Sequence, residues 1–222
     1  MKYSKDLPSY TRGEERFSAI SHIAGGGLAI AGFVVGLVLA CIYSNLYGIF
    51  SMLAFGISMI IMYTMSAIYH FLHINKAKKV FRIFDHCSIF FLIAGTYTPY
   101  CLITLREANP VVGWVLFSIV WGCAILGVVG NAINMHHPVI KTLSMIAYIA
   151  MGWCVILEIG TLLSNLEFMG FLLLLLGGVS YTIGAIFYGF GKKAKYIHSV
   201  WHLFVLAGSI LHFFSVLLYV IL

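Results

Sequence analysis

The chain of 222 residues is 62% hydrophobic, only 9% charged, and carries a formal net charge of +6. That mixture excludes an ordinary soluble globular domain. The positive charge does not indicate nucleic acid, because the basic residues sit between long apolar stretches and alternate with them as topology signals do.

A bilayer core about 30 Å thick takes roughly 20 apolar residues per helix, and the first such stretch is Ile20–Tyr43. Residues 1–19 before it are polar, read as a cytoplasmic N-terminal segment, and lack the short apolar run and cleavage site of a signal peptide. Gly25-Gly26-Gly27 and Gly32…Gly36 put small residues four apart, which lets membrane helices approach closely. The expected use is packing within the molecule, with a homo-oligomer face through this glycine-rich helix as the alternative. His22 lies just inside the start of the span, one to two turns after Glu14 and Glu15.

The second span, Leu46–Phe71, places Ser66 and His70 on one face of its last turns. The third, Phe84–Leu105, opens with Asp85, and Pro99 is expected to kink its outer half, with Thr96 and Thr98 satisfying the freed carbonyls. Val111–Val129 and Val139–Leu163 follow, with His136 and His137 read as solvated between them and Glu158 near an outer end. Phe168–Phe190 and Ile197–Leu222 complete the set. His198 and His202 stand four apart at the start of the last span, and His212 lies about 15 Å deeper, where a buried interhelical hydrogen bond is expected.

Seven spans consume the chain and predict one domain, 1–222, an all-α integral membrane bundle. Of thirteen Lys and Arg residues, twelve (Lys2, Lys5, Arg12, Arg16, Lys76, Lys78, Lys79, Arg82, Lys141, Lys192, Lys193 and Lys195) fall on the N-terminal side. Arg106 alone falls on the other. Cytoplasmic loops hold the Lys/Arg excess, so the N-terminus is expected in the cytosol and the C-terminus outside. Cys41, Cys87, Cys101, Cys123 and Cys154 have no paired spacing and read as free thiols.

Ionisable residues inside spans are expensive and mark function. Here His22, His70, Asp85, His198 and His202 come from four helices to one membrane level. The i, i+4 imidazoles suit two ligands of one tetrahedral zinc, and His70 supplies a third nitrogen. Taken singly, each residue also fits an interhelical hydrogen bond or a helix-terminal charge; their convergence favours a metal. Ser199 follows His198, so this is not the zincin motif, which has a glutamate there.

Around these residues the sequence resembles the haemolysin III family, bacterial members of the progestin and adipoQ receptor superfamily. The resemblance rests on Ser66-x-x-x-His70, on Phe84-Asp85-His86 with Leu92-Ile93-Ala94-Gly95-Thr96-Tyr97-Thr98-Pro99, and on His198 to Ser209 ending in His212. It implies zinc held by His70, His198 and His202, with Asp85 acting on the metal through a water and Ser66 beside it. Of the family's Glu…Asn…His motif in the first helix, Glu14 and His22 match as supporting groups, while Ser18 replaces the asparagine. His73 and His86 flank the site. The resemblance also implies a multi-pass protein of the bacterial plasma membrane with membrane lipid as its partner. The expected function is zinc-dependent hydrolysis of a lipid amide or ester by Asp85 and Ser66. The alternatives, in order, are a receptor-like regulator of membrane lipid homeostasis with structural zinc, a pore-forming cytolysin and a zinc transporter.

Overall fold

The computed structural model describes residues 7–190 and 195–222, apart from the side chain of Phe190. Lys2, Lys5, Lys192 and Lys193, counted above as topology signals, lie outside the described residues. Among the described residues, seven helices are long and apolar enough to cross a membrane: α1 (Arg12–Tyr43), α2 (Leu46–Phe71), α3 (Lys76–Ala108), α4 (Pro110–Asn134), α5 (Pro138–Asn165), α6 (Phe168–Gly189) and α7 (Ile197–Ile221). The protein is a multi-pass membrane protein whose outward faces are apolar. Its most buried span is also its least apolar one, α3. Other helices shield α3 from lipid, so its polar side chains find partners in protein.

Two helices begin earlier than hydropathy suggests. α1 starts at Arg12, eight residues before Ile20, because Thr11 caps it: the Thr11 hydroxyl accepts from the Glu14 backbone N–H while the Glu14 carboxylate accepts from the Thr11 N–H. α3 starts at Lys76 behind the Asn75 cap. Asp85 therefore sits more than two turns inside α3 and does not open it.

Pro99 is followed by a π-helical stretch, Tyr100–Leu105, the kind of local register change that a proline's missing N–H invites. Thr96 and Thr98 bond back to the carbonyls of Leu92 and Ala94. They do not reach the Gly95 carbonyl, which the proline frees. α5 is the least embedded span and is broken by a 3₁₀ turn at Cys154–Glu158.

The glycine row of α1 mostly faces inward. A Cβ at Gly25 would meet the Tyr63 ring, at Gly32 the Phe213 ring, and at Gly36 the Met52 side chain; Gly27 has open space.

Candidate metal centre

α2 and α7 together present three buried imidazoles. His198 Nε2 lies 3.3 Å from His70 Nε2 and 3.2 Å from His202 Nε2. The three ligand atoms all lie within 4.8 Å of one another. Tetrahedral zinc with Zn–N of about 2.0–2.1 Å separates its nitrogens by about 3.3–3.4 Å, so the spacing fits.

Proton counting points the same way. His70 Nδ1 is 2.8 Å from Glu15 Oε2, and a carboxylate only accepts, so Nδ1 carries a proton and, in the neutral ring, Nε2 is a bare lone pair. One hydrogen can then satisfy the His198–His70 contact or the His202–His198 contact, never both. A cation satisfies all three lone pairs. Sequence reasoning named these three histidines, and the structure brings them together.

The surroundings differ from expectation. Glu14 is not turned to the histidines; its carboxylate caps α1 and accepts from the Tyr196 backbone N–H. Its neighbour Glu15 is the carboxylate at the site. Lys78, read from sequence as a loop charge, is buried: Nζ donates to Glu15 Oε1, the Tyr69 carbonyl and the Leu72 carbonyl, each at 2.9 Å. Both were missed because hydropathy alone left Arg12–Ala19 and Lys76–Ile83 outside the helices.

His22 is buried with neither ring nitrogen hydrogen-bonded. It supports His202 by ring contact, 3.8 Å between centroids, with Tyr63 edge-on at 5.1 Å. Ser18, standing where the resembling family has asparagine, is paired with Ser199 of α7 at 3.1 Å.

Asp85 is buried at the same level, within electrostatic reach of His70 and Ser66 and 3.5 Å from His86 Nδ1. The His86 ring is oriented by the Arg82 carbonyl at 2.9 Å and the Tyr188 hydroxyl at 3.1 Å. Ser66 Oγ is buried, with the Asp85 carboxylate as the polar group within its reach. His73 is exposed and takes no part, and His136 and His137 are exposed as expected.

Tyr10, ahead of α1, stacks on His198 with centroids 4.7 Å apart. Burial pushes its phenol well above the usual range, with Tyr188 adding to the effect, so it covers the site as a neutral ring.

From Asp85 a cavity of about 1010 Å³, counting the open space at its edge, runs between α2, α3, α5, α6 and α7 past Met62, Trp153, Tyr181 and Val205 to His212. The His212 hydrogen bond is to Gly208 of its own helix at 2.7 Å, not between helices as expected. Its interhelical contact is stacking on Tyr181 with centroids 5.0 Å apart.

The family described as haemolysin-III related matches residues 10–213. A protein named Hemolysin-3 from Bacillus cereus is 41% identical, covering 94% of this chain and 92% of its own. A Hemolysin-3 homolog from Bacillus subtilis is 39% identical over 95% and 96%. A human protein named Monocyte to macrophage differentiation factor is 25% identical over 73% and 67%.

Proposed function

This chain belongs to the haemolysin-III related family, and from that premise we propose that it is a zinc-dependent hydrolase of lipid amide or ester bonds in the bacterial plasma membrane. The observation that carries this reading is three histidine nitrogens gathered in the bundle with a buried carboxylate, Asp85, that also lines a largely apolar cavity. Zinc held by His70, His198 and His202 would supply a Lewis acid and a water acidified towards neutrality. Asp85 takes the proton of the attacking water, and Ser66 Oγ donates to the oxygen that gains charge. The cavity's largely apolar lining suits the hydrocarbon part of a lipid.

The same ligands join α2 to α7, and that tie favours a second reading, a receptor-like regulator in which zinc is structural. The Bacillus cereus relative's name suggests a third, membrane lysis by a pore-forming cytolysin.

Lipid mass spectrometry of membranes holding the intact protein, His202→Ala or Asp85→Asn separates the first two. The intact protein forms a lipid product and His202→Ala forms none. Asp85→Asn keeps its zinc, yet product falls at least about a hundredfold, the low end of a general base's 10²–10⁴-fold contribution. Unchanged turnover in zinc-replete Asp85→Asn removes Asp85 from the mechanism. No product from the intact protein, across an amide and ester panel, leaves the regulator as the better reading.

A further inference from the structure

Lys78, Glu15 and His70 form an unbroken line of side chains from the C-terminal end of α2, through α1, to the metal ligands. The Lys78 ammonium has three hydrogens and three acceptors: the Tyr69 carbonyl, the Leu72 carbonyl and Glu15 Oε1. Two of these are carbonyls at the α2 C-terminus, where a cation is favoured. Its position is thereby fixed, and with it the direction of the Glu15 carboxylate. The other Glu15 oxygen holds His70 Nδ1 at 2.8 Å. Among the described residues, neither His198 nor His202 has a carboxylate on its outer nitrogen, and His202 Nδ1 has no hydrogen-bond partner.

We propose that Glu15, held by Lys78, is the positioning residue of the metal centre: it sets the His70 tautomer and aims Nε2 at the ion. The proposal rests on the metal reading above and assigns it two residues from helices that supply no histidine ligand. Lys78 also balances the Glu15 charge, while the Asp85 carboxylate lies 3.5 Å from His86 Nδ1.

The pairing makes an uncommon prediction for Glu15→Gln. An amide has one accepting and one donating end. Lys78 can only donate, so it draws the amide oxygen to itself and turns the NH₂ towards His70. Nδ1 must then accept, which moves the ring proton to Nε2 and blocks the ligand nitrogen. Removing the lysine as well frees the amide to turn its oxygen back to His70.

The test measures zinc affinity by chelator competition on the full-length protein in detergent, with helicity and elution volume as fold controls. Glu15→Gln is expected to bind zinc 10–100-fold more weakly, the usual cost of losing an outer partner of a ligating histidine. Glu15→Gln/Lys78→Met is expected to regain at least part of that loss. Should Glu15→Gln not fold, Glu15→Asp keeps the charge Lys78 needs, withdraws the carboxylate from His70, and is expected to show the same weakening. Unchanged affinity in the variant that folds overturns the proposal, as does a double variant no tighter than Glu15→Gln. His70→Ala separates the two levels: unchanged affinity there overturns the metal centre itself. Affinity lost in His70→Ala but intact in Glu15→Gln and Glu15→Asp overturns only the positioning role.

Discussion

The Glu14 carboxylate serves two helix ends at once, closing the capping box at Thr11 and accepting the Tyr196 N–H ahead of α7. Tyr196 has φ 63°, the left-handed region that costs a non-glycine residue on the order of 1 kcal/mol or more. The Glu14 bond helps hold it there. Glu14→Ala is therefore expected to destabilise the protein by about 1–2 kcal/mol while zinc content stays at the wild-type level. Thermal melting in detergent and metal analysis check this, and a zinc-free Glu14→Ala would return Glu14 to the metal centre. The grouping of the three histidines was legible in sequence because i, i+4 spacing and membrane depth are one-dimensional quantities. Which of two adjacent glutamates faces them was not. They stand about 100° apart around the helix, and choosing between them requires knowing which way α1 is turned against α2 and α7.

Helix boundaries failed for a related reason. A hydropathy average falls wherever charges cluster, so the charged first turns of α1 and α3 read as loop, although their caps continue the helices into them. Those turns carry Glu15 and Lys78. The glycines of α1, by contrast, were rightly expected to serve packing within the molecule. A Cβ at Gly25 would stand 2.5 Å from Tyr63 Cε1, and the Tyr63 hydroxyl is already committed to Ser209 at 2.8 Å. Gly25→Ala should cost about 1–3 kcal/mol, the usual range for overpacking, and Gly27→Ala close to nothing. Equal melting temperatures for the two variants would show that α1 does not pack by its glycine row. A homo-oligomer through α1 is left with the open face at Gly27, where Gly27→Leu and the elution volume provide the check.

On the scale of the whole molecule, the end that holds the three histidines is also the basic end. Arg12, Arg16, Lys76, Lys78, Lys79, Arg82, Lys141 and Lys195 lie at the helix ends on that side, with Arg106 opposite. By the Lys/Arg rule the histidines are expected at the cytosolic face. A reporter fused after Leu222 should be active only if it functions outside the cytosol; activity of a cytosol-dependent reporter there would invert the orientation or remove a span. The two sources of ligand are far apart in the chain, with His70 and His198 separated by 128 residues. At 5–20 residues per second, a ribosome takes roughly 6–26 s to travel from one to the other. Lys78, Glu15 and His70 all lie well ahead of α7 in the chain, so their hydrogen-bonded line can assemble while α7 is still unmade. On the proposed metal reading, the nascent protein inserts its first three helices with one ligand already oriented, and zinc uptake waits until its last helix has left the ribosome.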